Sequence, residues 1–272
     1  MRWRRRFWKQ SAKRERSRNK KPQSVTAPIW LLGCGHMGGA LLGRWQAEDM
    51  GPVAVIDPAL PGAGIPADGR PDVLVLAVKP QIWRAATAPL ADRIGALTLV
   101  VSVMAGVTTA DLAAVFPGSA IIRAMPNTPA AIGAGVTALF TTAGDFAEGA
   151  AEALFSAVGA TLWLADEADF DAVTAVSGSG PAYVFAFIEA LAVAGAAAGL
   201  EPGLAARLAR ATVTGAAALA AADAAVTAGE LRARVTSPGG TTAAGLEVLV
   251  PGLAPLLTET VKAAAARSRQ LR

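Results

Sequence analysis

The stretch IWLLGCGHMGGALLGRW, residues 29–45, decides the fold. Its first four residues are apolar without polar alternation, which reads as a strand buried on both faces. That strand passes directly into Gly33, Gly35 and Gly38 in G-x-G-x-x-G spacing, and a helix-like run follows. Each glycine has its own physical task. Gly33 permits a tight turn, Gly35 leaves room for a pyrophosphate against bare backbone, and Gly38 lets the helix approach the strand while its N-terminus faces the phosphates. With Cys34, His36 and Met37 these glycines make the expected cofactor loop. The next apolar run, VAVID at 53–57, ends in Asp57, 19 residues after Gly38. A carboxylate there is placed to accept hydrogen bonds from the adenosine ribose and to repel a 2′-phosphate, which favours NADH over NADPH. Because Pro58 follows, Asp57 could instead merely start a turn.

Further buried-strand runs follow at 72–78 (DVLVLAV), 97–103 (LTLVVSV) and 120–125 (AIIRAM), so the first half reads as an α/β parallel sheet. Open parallel sheets bind ligands at the carboxyl ends of their strands. LAVKPQ (76–81) and SVMAGV (102–107) end two strands there with small residues, which nominates Ala77, Val78, Lys79, Pro80, Ala105 and Gly106 for the cofactor. AMPNTPA (124–130) sets Asn127 and Thr128 in a stiff polar turn between two prolines, suited to the nicotinamide end. Thr108 and Asp111 have capping-box spacing, a structural feature.

The chain has 272 residues, 53% of them hydrophobic, enough for two domains around well-buried cores. Its net charge of +4 is uneven. Residues 1–24 hold 11 of the 25 Lys and Arg and only one acid, Glu15, which leaves 14 basic against 20 acidic residues downstream. This tail reads either as a polyanion-binding arm or as an extension without a role in the fold. It lacks the apolar core of a secretory signal, so a cytoplasmic location is expected. Cys34 and His36 are the sole Cys and His, which excludes an intrachain disulfide and a multi-cysteine zinc site and argues against a Ser-His-Asp or Cys-His nucleophile. Metal chemistry is not expected, and the chain points to a borrowed cofactor.

Strand runs cease around 165–175, and 181–270 is alanine-rich and helical. The expected organisation is a tail over 1–24, a dinucleotide-binding domain over 25–165 and an all-helical domain over 166–272. PAYVFAFIEALAVAGAAAGL (181–200) has the length of a membrane span, but Glu189 sits at its centre and opposite faces are both apolar. A helix buried between subunits fits better. VSGSGPAY (176–183) reads as a glycine-rich helix start with Pro181 in the first turn. In VTSPGGTTAAGLEVL (235–249), two glycines and two threonines stand where a helix needs a single cap. They are either redundant caps or a site.

Taken together, LLGCGHMGGAL, VLAVKPQ, VSVMAGVT, IIRAMPNTPAAIGAG, DAVTAVSGSGPAYVF and VTSPGGTTAAGLEVL resemble the pyrroline-5-carboxylate reductase family over residues 29–250. The resemblance implies a Rossmann domain, a helical dimerisation domain interlocking with its twin, and NAD(P)H-dependent reduction of 1-pyrroline-5-carboxylate to L-proline, the last step of proline biosynthesis. Implied partners are a cyclic imine and a second copy in a homodimer or higher homo-oligomer, with no nucleic acid and no membrane. The family would use Thr242 to hydrogen-bond the ring nitrogen, and Ser237 with the amides near Thr241 to hold the carboxylate. Val235, Gly239, Gly240, Ser177 and Gly178 would complete the substrate site. The pattern departs between Asp57 and Asp72, where PALPGAGIPADGRP stands for a longer stretch and shortens the sheet domain by about one βα unit. Two rivals remain. A β-hydroxyacid dehydrogenase needs a lysine acid in its helical domain, and beyond residue 170 only Lys262 is present. A non-catalytic dinucleotide-binding paralogue would not need a complete SPGGTT segment.

Overall fold

The computed structural model describes residues 27–271, so the basic tail lies outside the described residues. The chain divides into two units, one ending at Phe170 and one spanning Asp171–Leu271.

In the first unit the strands are β1 (Ile29–Leu32), β2 (Val53–Ile56), β3 (Val73–Leu76), β4 (Leu99–Ser102), β5 (Ala120–Met125), β6 (Gly135–Thr141) and β7 (Gly159–Trp163). They form one sheet in the order β2-β1-β3-β4-β5-β6-β7, parallel except where β6 runs against β5. The parallel register sets Leu32 beside both Ile56 and Leu76, and Leu76 beside Ser102. The carboxyl ends of β1 to β5 therefore share one edge of the sheet.

Side chains alternate across a strand, so an uninterrupted apolar run needs cover on both faces. It has that cover. Ile29 and Leu31 with Val73, Val75, Leu99 and Val101 pack beneath Leu41 and Trp45 of α1 (His36–Ala47), and Trp30 and Leu32 with Leu74, Leu76 and Val100 pack on the other face. Trp83 of α2 (Trp83–Thr87) and Leu112 of α3 (Thr109–Val115) close that second face. The first face is finished by α4 (Asp145–Ser156), whose Leu154 carbonyl accepts the Trp45 indole N–H at 2.9 Å. The expected capping box is present at the start of α3, formed by Thr108 and Asp111.

β6 and β7 extend the sheet beyond the five strands read from the sequence. The connection from β2 to β3 crosses β1 through Asp57–Asp72 with no helix in it, although parallel crossovers usually carry one.

In the second unit a helix does start in the SGSG segment, but it continues an earlier helical path instead of opening from a loop. A π-turn spans Thr174–Gly178, closed by the Ser179 N–H on the Thr174 carbonyl at 2.8 Å, and Ser179 keeps helical dihedrals into α5 (Gly180–Ala197). The glycines therefore widen the helical path instead of breaking it, and Pro181 sits in the first turn of α5. Next come α6 (Pro202–Ala222), α7 (Ala228–Arg234) and α8 (Thr241–Gln270), the last with Pro251 and Pro255 inside it. α5 and α6 pack closely, since a Cβ on Gly195 would lie 3.3 Å from that of Ala205. Ser268 near the end of α8 donates to Asp171 at 2.8 Å in a buried contact. Residues 167–197 and 241–270 are both long and apolar enough to cross a bilayer, and within one chain the most apolar stretch of each is not buried.

Candidate active site

At the carboxyl edge of the sheet, the three glycines of the first loop differ in what a side chain would meet. Gly33 has φ +91°, and a Cβ there would lie 2.8 Å from the Ala77 carbonyl oxygen. A Cβ on Gly38 would strike the Gly33 carbonyl oxygen. One on Gly35 would meet nothing within 4 Å. The fold itself thus requires glycine at 33 and 38, but leaves 35 open toward solvent at the start of α1. Gly35 is the N-cap of that helix, with no side-chain cap and no acidic residue in the first turn. Uncapped amides with the positive end of a helix dipole make an anion site, and the open Gly35 gives a diphosphate room to approach, so the loop fits a dinucleotide.

Asp57 stands beside this loop. One carboxylate oxygen accepts the Cys34 N–H at 2.7 Å, and the other accepts the Ala59 N–H at 2.9 Å. It therefore does start a turn, and it also braces the glycine loop. Its remaining lone pairs stay available to a ribose hydroxyl. Burial, followed by the Asp57 charge, pushes the Cys34 thiol up, which leaves it protonated at neutral pH. His36 opens α1 and is exposed, while Met37 packs against the core.

The other strand exits follow along the same edge. Ala77, whose N–H bonds the Leu32 carbonyl at 2.8 Å, lies beside Gly33, with Val78, Lys79 and Pro80 after it. Ala105 and Gly106 leave β4 in a turn with φ +77° at Gly106. Asn127 leaves β5, and its Oδ1 accepts the Val136 N–H at 2.9 Å, tying this turn to β6. Thr128 begins the 3₁₀ turn that follows.

One group the sequence reading did not single out is Arg123 of β5, whose side chain is only 2% exposed. It donates to Glu167 at 3.0 Å and lies 4.1 Å from the centre of the Phe170 ring. Glu167 also accepts the Thr109 N–H and hydroxyl, both at 2.8 Å. The signal was a lone arginine in an otherwise apolar strand.

In the second unit, Gly239 has φ +67°, and a Cβ on Gly240 would come within 2.5 Å of the Ser237 hydroxyl. Gly240 is the N-cap of α8 and supplies no side-chain cap. The neighbouring hydroxyls do not supply one either. Among the described residues, those of Ser237, Thr241 and Thr242 make no hydrogen bond, and these three residues and Val235 are exposed. Redundant capping is thus not what the threonines do. A 30-residue helix begins with bare amides beside three uncommitted hydroxyls, an arrangement suited to a small carboxylate.

Ser177 and Gly178 lie elsewhere. They sit six and seven residues beyond Asp171, which is pinned to Ser268 at the far end of α8. At about 1.5 Å per residue, Thr242 and Ser268 are roughly 39 Å apart along that helix. One chain therefore does not bring Ser177 and Gly178 to the Ser237–Thr242 loop.

Comparison with known proteins gives consistent results. A family profile described as pyrroline-5-carboxylate reductase dimerisation matches residues 167–271. The pyrroline-5-carboxylate reductase of Pseudomonas aeruginosa is 39% identical over 267 residues, covering 90% of this chain and 97% of that protein. That of Synechocystis is 46% identical over 205 residues, covering 74% and 75%. The solved structure of a pyrroline-5-carboxylate reductase from Coxiella burnetii has a TM-score of 0.83 at 35% identity, covering 90% of this chain and 98% of that one. A Plasmodium falciparum pyrroline carboxylate reductase with NADP bound has a TM-score of 0.78 at 26% identity, covering 92% and 99%.

Proposed function

The chain belongs to the pyrroline-5-carboxylate reductase family, and from that premise we propose that it reduces 1-pyrroline-5-carboxylate to L-proline with a nicotinamide dinucleotide. The observation that carries this reading is the start of α8, where bare amides and the free hydroxyls of Ser237, Thr241 and Thr242 stand together. The substrate is a small ring with one carboxylate and one imine nitrogen. Ser237 and the amides around Thr241 hold the carboxylate, helped by the helix dipole. The Thr242 hydroxyl hydrogen-bonds the ring nitrogen and so fixes the imine carbon in place. Val235, Gly239 and Gly240 shape the loop around the ring.

The dinucleotide, when bound, supplies the hydride that the imine carbon receives. Gly33 to Gly38 hold its diphosphate, Ala77 to Pro80 and Ala105 with Gly106 line its length, and Asn127 and Thr128 orient its nicotinamide end. Asp57 faces the adenosine side and favours NADH, since its carboxylate repels a 2′-phosphate.

The working unit is at least a dimer. Ser177 and Gly178 reach the Ser237–Thr242 loop only from a second copy, and the most apolar stretches of α5 and α8 are not buried within one chain. Glu189 in mid-helix favours a subunit interface over a bilayer for α5.

The test is to follow NADH and NADPH oxidation with pyrroline-5-carboxylate and to identify proline as product. Turnover with a higher kcat/KM for NADH is expected. No oxidation of either cofactor would overturn the function, and a higher kcat/KM with NADPH would overturn the preference.

A further inference from the structure

The crossing from β2 to β3 contains no helix, yet it is stitched down at two places. At its start, the Asp57 N–H bonds the Ala63 carbonyl at 2.8 Å while the Asp57 side chain holds the Cys34 and Ala59 amides. On its way back, three carbonyls converge on a single guanidinium. Arg93, the last residue of the 3₁₀ turn Ala88–Arg93, donates from Nη1 to Pro66 at 3.3 Å and Gly69 at 3.0 Å, and from Nη2 to Ala67 at 2.9 Å. Hydrogen bonds to a charged donor are stronger than neutral ones, and three to one fork restrain the loop in more than one direction. Between the two stitches Leu60 and Ile65 are 42% and 40% exposed, apolar side chains held out from the loop instead of buried beneath it.

A crossing of this length without secondary structure loses its shape readily unless something fixes it, because ordering each residue costs conformational entropy. Its first turn begins on Asp57, beside the glycine loop. We propose that Arg93 is a positioning residue for cofactor binding: it holds the Asp57–Asp72 loop in place as the wall against which the adenosine half of the dinucleotide rests, with Leu60 and Ile65 offering the apolar surface for adenine. This rests on the dinucleotide reading given above. Arg93 acts through the carbonyls of Pro66, Ala67 and Gly69, so its effect should be confined to ligands that carry the adenosine half.

The experiment compares the full-length chain with Arg93→Gln and Arg93→Lys. Calorimetry gives the affinity for NADH and for ADP-ribose, hydrogen exchange follows residues 58–71, and turnover is measured with reduced nicotinamide mononucleotide, which lacks the adenosine half. Arg93→Gln should speed exchange across 58–71 and raise Kd for NADH and ADP-ribose about 3- to 10-fold, leaving mononucleotide-supported turnover within about twofold. Arg93→Lys keeps the charge but not the fork, so it should fall between the two, and it carries the test if the glutamine variant folds poorly. Unchanged ADP-ribose affinity, with or without faster exchange, would overturn the inference, as would an equal loss with the mononucleotide. Failure of the wild type to bind NADH and ADP-ribose would overturn the dinucleotide reading and this inference with it.

Discussion

Single residues divide the glycine loop into structural and ligand-facing positions. A Cβ on Gly38 has no place to go against the Gly33 carbonyl, whereas one on Gly35 meets only open space. Gly35→Ala should therefore change stability by no more than about 1 kcal/mol, and yet raise the dinucleotide Kd by about tenfold or more. Gly38→Ala should lower the unfolding midpoint markedly. Thermal unfolding together with NADH titration separates the two, and a Gly35→Ala protein with unaltered affinity would remove the diphosphate from this loop. The sequence carried the spacing of these glycines and the acid that ends β2. It did not carry the bond from Asp57 to the Cys34 amide, because a separation of 23 positions removes a through-space contact from any local pattern.

Among the elements, the Arg123–Glu167–Thr109 group joins the strand that leads to Asn127 with the helix that follows Gly106. Glu167→Ala would remove one carboxylate from a buried guanidinium and the acceptor of the Thr109 amide and hydroxyl, and should cost about 2–4 kcal/mol in denaturant unfolding. Arg123→Met combined with Glu167→Ala should cost less than Glu167→Ala alone, since the charge is then gone as well. Strictly additive losses would mean that the pair carries no coupling. β1 to β5 were legible because buried parallel strands are continuous apolar runs. β6 was not, since GVTALFT mixes small, polar and aromatic residues, and its pairing depends on the antiparallel return after Asn127. The π-turn was illegible for a different reason. Glycine next to serine is ordinarily a break, and here tertiary packing on the end of α8 keeps the chain helical.

At the scale of the molecule, the 30-residue length of α8 is what makes one chain insufficient. On the proposed function, the loop at one end of that helix and the π-turn at the other would contribute to a common substrate site only across a pair of copies. This predicts complementation. Mixing a Thr242→Val protein with a Gly178→Val protein, each of low activity alone, under exchange should raise activity to about a quarter of wild type, because half the dimers are mixed and each has one intact site. No recovery after demonstrated exchange would contradict the shared site. An interface between copies was legible in α5, whose run is apolar on opposite faces, but the separation of the two loops needed the length and anchoring of α8.

Reduction of the imine at this site depends, on the proposed function, on what the two threonines at the start of α8 do. Thr242→Val keeps shape and β-branching and removes only the hydroxyl, so folding and dinucleotide affinity should be unchanged. Loss of a hydrogen bond to a charged group in a closed site costs about 1.5–3 kcal/mol, or roughly a 10- to 150-fold fall in kcat/KM for the imine. Thr241→Val should cost much less, since position 241 contributes its backbone N–H. Steady-state kinetics on the two variants side by side is the most direct measurement: a large loss confined to Thr242→Val is the predicted result, and near-wild-type activity in Thr242→Val, or an equal loss in both, would contradict it.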